Sequence, residues 1–182
     1  MVFQETISEY TPYLESGIKI LPYNPDWPII YQHLSDFIFQ RLDPQRNGLV
    51  MEHVGSTSIP GMPSKGIIDI LGITIDVIKM HQRLIALGLQ ISPYPNRIDN
   101  DKPLLVGSFK GFSFHMHLCI PCSVWITYLV GKRNLLRTRP DLSAQYAAIK
   151  LQFAKEQLVD AKVYADAKIP FMNELNHILG IN

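Results

Sequence analysis

The sequence predicts an α+β domain with a C-terminal helical half. Three observations predict it: the order strand, polar turn, strand and helix in the first half of the chain, two further strand-type runs joined across glycines, and apolar residues at helical spacing from about residue 124 onward. No internal repeat and no linker divides the 182 residues. We therefore expect one domain over residues 1–182, with residues 1–17 as a loose lead-in and residues 124–182 as the helical half.

The chain before the polar turn contains one helix. Residues 18–21 are a short strand candidate that ends at Pro22. Asp26 is expected to cap the first helix, and Pro28 is tolerated in its first turn. Apolar residues then recur at helical spacing, at Ile30, Leu34, Phe37 and Ile38. This pattern predicts a helix with one apolar face.

Two strand candidates enclose the polar turn. Residues 49–54 form a β-type run that leads into Gly-Ser-Thr-Ser at 55–58 and a Pro- and Gly-rich turn. The next run, residues 66–75, is almost wholly apolar and predicts a central strand covered on both faces, with Asp69 as the exception to explain. Asp76 is expected to cap the helix that follows.

The remaining elements complete the sheet and form the helical half. Residues 104–106 and 112–120 are strand candidates, and the glycines between them favour an antiparallel pair at the far side of the sheet. Three helices are expected after them: residues 124–137, a second helix opened by Pro140, and a third from about 162 to 179.

Charge and cysteine content narrow the functional classes. The chain has 17 basic and 16 acidic residues, and no basic stripe interleaved with aromatic residues, so we expect no nucleic acid partner. Cys119 and Cys122 have no second pair that would complete a zinc set. No run is long enough to span a bilayer, and Glu5 is atypical of a signal peptide. We expect a cytoplasmic protein without membrane contact, and the oligomeric state stays open.

The turn at residues 55–58 is the first candidate site. Small residues such as Gly55 and Ser56 let backbone N–H groups converge on an anion, and the hydroxyls of Ser56 and Thr57 add donors. The alternative is an ordinary polar turn, because a Gly-Ser pair alone is a short motif.

Asp69 is the second candidate. A carboxylate in an apolar strand either has a buried cationic or backbone partner, or lies at an exposed strand end and binds Mg²⁺. The period of two places Leu71 on the same face as Asp69. A clamp of two carboxylates would need Asp at both positions, and this chain has one.

Histidines and cations form two further candidate sets. Alternation places His115 and His117 on one face of their strand, which is consistent with a metal or phosphate site that His53 could join. Solvent-facing or core histidines are the alternative. The helical half carries cations that either grip phosphates or form a solvated surface, namely Lys132, Arg133, Arg137, Arg139, Lys150 and Lys168. Arg133 and Arg137 are four residues apart and therefore adjacent on a helix face.

Residues 52–70 read Glu-His-Val-Gly-Ser-Thr-Ser-Ile-Pro-Gly-Met-Pro-Ser-Lys-Gly-Ile-Ile-Asp-Ile. This run closely resembles the signature of the GrpB family, also called UPF0157. The resemblance extends to residues 23–27, 115–117, 133–140, 146–150 and 164–168. It implies membership of the nucleotidyltransferase superfamily related to polymerase β, whose fold is a mixed sheet with helices packed on one side. In that superfamily the Gly-Ser turn holds a triphosphate and acidic residues on the following strands hold Mg²⁺.

Residue by residue, the resemblance assigns phosphate binding to Gly55 and Ser56 and metal binding to Asp69. The chain departs from the superfamily pattern at Leu71, where a second Asp is expected, and at the strand of His115 and His117, where a third carboxylate is expected. With one carboxylate, two-metal stabilisation of the reacting oxygens is difficult to assemble. Imidazole ligands favour Zn²⁺, Mn²⁺ or Fe²⁺ over Mg²⁺.

The leading hypothesis is therefore a nucleotidyltransferase-like protein that binds a nucleoside triphosphate or another phosphorylated small molecule together with a divalent metal, Mg²⁺ or Mn²⁺, with Zn²⁺ as the alternative. The expected phosphate-binding residues are Gly55, Ser56, Thr57, Lys65 and Lys150. The expected metal ligands are Asp69, His53, His115 and His117. Asp69, Arg133 and Arg137 are the expected catalytic residues, the arginines by stabilising phosphate charge. Two alternatives stay open: a binding module without turnover, and a histidine-metal phosphohydrolase.

Overall fold

The computed structural model describes residues 6–10, 19–44, 48–92, 104–153 and 161–181. A five-stranded sheet lies at the centre, in the order β1-β2-β5-β4-β3. Its strands are β1 (Val50–Val54), β2 (Ile68–Ile73), β3 (Gln90–Ile91), β4 (Leu105–Phe109) and β5 (Phe112–Cys119). The β2–β5 pair is parallel and the other three pairs are antiparallel. The sheet is therefore mixed, and the pair at its far side has the predicted antiparallel order.

The helices lie before, within and after the sheet. Helix α1 spans Asp26–Leu42 and α2 spans Val77–Ala86. The helical half contains α3 (Val124–Ile126), a π-helical turn (Thr127–Gly131), α4 (Lys132–Thr138), α5 (Pro140–Leu151), α6 (Ala161–Asp166) and α7 (Ile169–Ile178). The predicted α+β class with a helical half after the sheet is confirmed. In the part of the chain that the structure describes, no helix is long and apolar enough to cross a membrane.

Alternation along the strands separates two faces of the sheet. On β2, Ile68 and Ile70 belong to the main core, which α1 and α2 cover with residues such as Leu34 and Leu84. Asp69 and Leu71 face the other side, where Leu71 packs with residues of α3 and the π-helical turn. The second face therefore carries both an apolar patch and the candidate site.

The segments before α1 differ from the expectation. Within the predicted loose lead-in, residues 6–10 are held against the sheet, because Ser8 exchanges backbone hydrogen bonds of 2.9 and 3.1 Å with Ser108. Of the predicted strand at 18–21, residue 18 lies outside the described ranges, and Leu21 forms a single bridge with Ser64.

The structure contains one of the two predicted helix caps. Asp76 caps α2 as predicted, with its carboxylate accepting from Lys79 N–H at 3.0 Å. The cap predicted at Asp26 is wrong, because Asp26 is the first residue of α1 and its own N–H donates to Asn24 Oδ1 at 2.8 Å. Pro25, with φ −65° and ψ −13°, already has helical backbone angles, so the helix begins earlier in the chain than predicted.

Two predicted helices of the C-terminal half are subdivided. The helix predicted at 124–137 contains the π-helical turn Thr127–Gly131. The helix predicted at 162–179 is divided into α6 and α7, with Pro170 in the first turn of α7. A proline inside a continuous helix would remove one hydrogen bond and clash with the preceding turn, so the chain restarts the helix just before it.

Candidate functional site

Gly55 brings the polar turn against Asp69. Its φ of +68° lies in the region that favours glycine, and a Cβ at this position would overlap Asp69 Oδ2 and lie 2.9 Å from Asp69 Cβ and Cγ. The backbone approaches the carboxylate side chain this closely only because residue 55 has no side chain. The polar turn therefore lies against Asp69, at the end of β1 and on the second face of the sheet.

Lys150 reaches this turn from α5. Its Nζ donates to Ser56 Oγ and to the carbonyl oxygen of Pro63, the latter at 2.9 Å, and lies 4.4 Å from the centre of the Tyr146 ring. The residue is 1% exposed. Desolvation holds the pKa of Lys150 well below its ordinary value, nearby Lys168 acts in the same direction, and Asp69 opposes it. Lys150 thus connects α5 to the predicted phosphate turn through hydrogen bonds.

Thr57 and His53 form a buried pair on the other side of the sheet. Thr57 Oγ1 donates to Ile67 O at 3.0 Å and lies 3.0 Å from His53 Nε2. The His53 ring stacks on Tyr31, with ring centres 4.7 Å apart. Thr57 is fully buried, so its side chain is a core contact rather than the phosphate donor expected from the sequence.

Strand register removes His53 from the predicted metal set. His53 is paired with Ile70, and Ile70 with Met116, so these three residues share the face that packs on α1. His115 points to the opposite face. Burial lowers the pKa of His53 to about 3, with the charges of Arg137 and Arg133 adding to the effect. The expectation that His53 joins the other histidines is wrong, because alternation within a strand does not determine the register between strands, and the observed register places His53 and His115 on opposite faces.

Asp69 and His115 are brought together on the site face. Asp69 Oδ1 lies 3.6 Å from His115 Nδ1, and His115 Nε2 lies 3.1 Å from Tyr10 Oη. The Asp69 side chain keeps 31% exposure, yet desolvation by the surrounding protein raises the pKa of Asp69 to about 6, against the opposing charges of Lys65, Lys150 and Lys168. Burial, and secondarily Lys65 and His117, lowers the pKa of His115 to about 3. The imidazole is therefore uncharged at neutral pH.

His117 lies beside this pair without contacting it through a hydrogen bond. It is paired in register with Leu71, its Nδ1 is buried and has no hydrogen-bond partner, and burial lowers its pKa to about 4. Within the described ranges, no group of three or more His, Cys, Asp and Glu side chains is close enough to hold a metal ion. Of the four predicted ligands, Asp69 and His115 are the pair that the fold juxtaposes.

Arg133 and Arg137 connect the helical half to the sheet. One Nη of Arg133 donates to Glu52 Oε2 at 2.7 Å and to the carbonyl oxygen of His53 at 2.8 Å. Arg137 donates twice to the carbonyl oxygen of Ser58, at 3.0 and 2.6 Å. Both guanidinium groups therefore have protein acceptors, and they tie α4 to β1 and the polar turn. Phosphate binding by these arginines would require them to share or exchange those contacts.

A pocket lies between the turn and the helical half. Its cavity volume is about 100 Å³, and it is open to solvent. Gly55 and Ser56 form one wall, and residues of the π-helical turn, α4, α5 and α7 form the others. The pocket therefore places an open cleft, rather than an enclosed cavity, next to the predicted phosphate turn.

Comparison with known proteins decides the family. The family model described as GrpB protein matches residues 17–177. The chain belongs to the GrpB family. It is 29% identical over 172 residues to UPF0157 protein BH1888 of Halalkalibacterium halodurans, covering 93% of this chain and 86% of the relative. It is 30% identical over 161 residues to UPF0157 protein PA4798 of Pseudomonas aeruginosa, covering 85% of this chain and 64% of the relative.

The fold agrees with this assignment. The crystal structure of conserved protein GrpB from Enterococcus faecalis matches with a TM-score of 0.73 at 23% identity, covering 88% of this chain and 96% of that chain. The family resemblance seen in the sequence is confirmed by the family model and the two relatives, and the structural match shows that the fold is shared. The chain spans about two thirds of the length of the Pseudomonas relative.

Sequence reasoning on this GrpB chain missed several residues of the site. Glu52 and Tyr10 are partners of Arg133 and His115, and both lie far from them in the sequence. The sequence pattern places Lys132 in a set of helical cations without distinguishing it from the others, whereas the structure shows that it lines the pocket. A signal was present, because Lys132 stands four residues from both Tyr128 and Leu136 and therefore occupies an apolar helical stripe. Lys65 lies close enough to Asp69 for its charge to lower the Asp69 pKa, and its phosphate binding stays a prediction.

Proposed function

We propose that this GrpB domain binds a phosphorylated small molecule, with a nucleoside triphosphate as the leading candidate, at the Gly55–Ser56 turn and the adjoining pocket. The observation that carries the proposal is the contact between the turn and Asp69 that only a glycine at position 55 permits. It places the Asp69 carboxylate against the turn, whose Gly55 and Ser56 line the pocket together with Lys132. A phosphate needs donors and positive charge, and a metal-bound phosphate also needs a carboxylate.

The Asp69–His115 pair fits one divalent ion. Two ligand atoms about 2.1 Å from a tetrahedral ion lie roughly 3.4 Å apart, and the observed separation of Oδ1 and Nδ1 is 3.6 Å. His115 is uncharged, as a metal ligand must be, and Tyr10 Oη could accept from Nε2–H and fix the ring. Such an ion would supply positive charge to the phosphate oxygens.

The protein groups have distinct tasks in this proposal. The N–H groups of the turn bind the phosphate, Lys150 holds the Ser56 side chain, and Lys65 adds positive charge beside Asp69. Arg133 and Arg137 hold α4 against the turn and so keep the pocket wall in place. In nucleotidyl transfer, an acceptor hydroxyl would attack the α-phosphate and pyrophosphate would leave.

A second candidate function is ligand binding without transfer. Leu71 is fully buried in an apolar cluster with Val54 and Cys119, at the position where a second metal-binding carboxylate would stand. This packing favours recognition without the two-metal chemistry of transfer. The histidine-metal phosphohydrolase loses its basis, because it required His53 to converge with Asp69, His115 and His117, and His53 lies on the other face.

The test is a thermal-shift titration with ATP, GTP, CTP and UTP, each with Mg²⁺, Mn²⁺ or Zn²⁺. A ligand that binds the native state alone at 100 times its Kd adds about 2.7 kcal/mol to the free energy of unfolding. We expect a metal-dependent rise in Tm for the wild type, and its loss in Asp69→Ala. Asp166→Ala, on the exposed surface of α6, is the matched control and should keep the rise.

The outcomes separate the two candidates. A rise in Tm followed by release of pyrophosphate in the presence of an acceptor supports transfer. A rise without pyrophosphate release supports the binding module. No rise with any triphosphate and any of the three metals overturns nucleotide binding.

A further inference from the structure

Lys132 is a buried cation of the pocket wall that lacks a hydrogen-bond partner. The residue is 6% exposed, and its Nζ is buried without an acceptor within hydrogen-bond distance. Nζ lies 3.4 Å from the centre of the Tyr128 ring, and burial lowers the pKa of Lys132 to about 8. A cation above an aromatic face gains about 1 to 2 kcal/mol, which compensates only part of the loss of water around an ammonium.

The rest of the pocket wall is mostly apolar. Next to Lys132 the wall includes apolar side chains from the residue after the polar turn, the π-helical turn, α4 and α7, namely Ile59, Leu129, Leu136, Met172 and Leu175. Arg133 also lines the pocket, but its guanidinium already binds Glu52 and the backbone of His53. Among the described residues, Lys132 and Arg133 are the cations that line the pocket, and Lys132 is the one whose buried nitrogen has no hydrogen-bond acceptor.

We propose that the pocket binds an organic anion with an apolar body, and that Lys132 binds its anionic group. The missing acceptor of Lys132 is what a carboxylate or phosphate oxygen would supply, and the aliphatic wall matches an apolar body. The inference deepens the proposed function, since it names the class of molecule that occupies the pocket beside the phosphate turn. It rests on the proposed function only in placing the ligand in that pocket.

The experiment is isothermal titration calorimetry with octanoate, octyl phosphate and octan-1-ol, in the absence of nucleotide and metal. The three probes share one apolar body and differ in the head group. We expect wild type to bind an octyl anion at least about 30-fold more tightly than octanol, which is the effect of an interaction with a desolvated charge. Octanoate and octyl phosphate show whether the preferred head group is a carboxylate or a phosphate.

Three variants assign that preference to Lys132. Lys132→Met keeps the length and apolar stem of the side chain, and it should bind the anions no more tightly than octanol. Lys132→Arg should retain the preference for the anion. Lys162→Met, which removes an exposed lysine on α6, should behave as wild type.

Each outcome either supports or overturns anion binding by Lys132. Binding of either anion that is lost in Lys132→Met while octanol binding persists supports the inference, because a merely structural change would affect all three probes alike. Equal binding of anion and alcohol by wild type, an anion preference that survives in Lys132→Met, or no anion binding overturns it. Because no nucleotide is present, this result is independent of the fate of the triphosphate proposal.

Discussion

The helical half contains two buried lysines in contrasting surroundings. On α5, Lys150 has two oxygen acceptors and an aromatic face, and it connects the helix to the polar turn. On α4, Lys132 has an aromatic face and no hydrogen-bond acceptor. Both ammonium groups have lost most of their water, but only one has had that water replaced by the protein. A cation with all its donors used stabilises the fold, whereas a cation with unused donors is available to a ligand.

Lys150→Met removes the buried lysine that has hydrogen-bond acceptors, and it should have the largest effect of the predicted substitutions on the free energy of unfolding. The substitution leaves Ser56 Oγ and the carbonyl of Pro63 without their donor, and it removes one of the cations near Asp69, where Lys65 and Lys168 remain. We expect the free energy of unfolding to fall by about 3 kcal/mol. Urea denaturation at pH 7 measures it, with Lys162→Met as a control that should stay within about 0.5 kcal/mol of wild type. An unchanged midpoint for Lys150→Met would contradict the structural role of Lys150.

Lys132→Met should change stability in the opposite direction. Methionine has a side chain of similar length that can lie along the Tyr128 ring without burying an ammonium that lacks an acceptor. We expect the free energy of unfolding to rise by about 1 kcal/mol in the absence of ligand. The same urea titration measures it. A loss of stability comparable to that of Lys150→Met would show that the Lys132 ammonium is already well satisfied within the fold.

The pH dependence of that stability difference should give the smallest effect. The pKa of Lys132 is lowered from 10.5 to about 8 in the folded state, so above pH 8 the folded state releases this proton before the unfolded state does. Since the unfolded state then binds more protons, the stability of wild type rises relative to Lys132→Met between about pH 8 and 10 and is constant below that window. Tyr128, whose pKa is raised by burial, stays protonated there.

Urea titrations of both proteins at pH 7, 8 and 9 measure this difference. Subtracting the variant removes the titration of all groups that the two proteins share. A difference that stays flat from pH 7 to 9 would indicate that the ammonium of Lys132 is solvated in the folded protein.

Much of the fold could be predicted from the sequence because the information is local. β1, the polar turn and β2 lie within 25 residues, and their apolar patterns and turn residues determine the order of the elements. The same local information identified Gly55 and Asp69, which turned out to lie against each other. The capping of α2 by Asp76 is equally local.

The roles of the cations could not be predicted in this way. Arg133 binds an acceptor 81 positions away in the sequence and Lys150 one that is 94 positions away. Helical spacing shows that Arg133 and Arg137 are neighbours, but it contains no information on which acceptors the helix will meet. The same limit applies to His53, whose face relative to His115 depends on the register between β1, β2 and β5.

The π-helical turn Thr127–Gly131 sets the angular phase of the helix that follows it. In an α-helix each residue advances about 100° around the axis, and a π-helical turn inserts one extra residue into that progression. Before the turn, Trp125 and Ile126 face the sheet, whereas after it Lys132 and Leu136 face the pocket. The inserted residue therefore rotates the side chains after the turn relative to those before it. As a result, one continuous helical segment covers the sheet at one end and lines the pocket at the other.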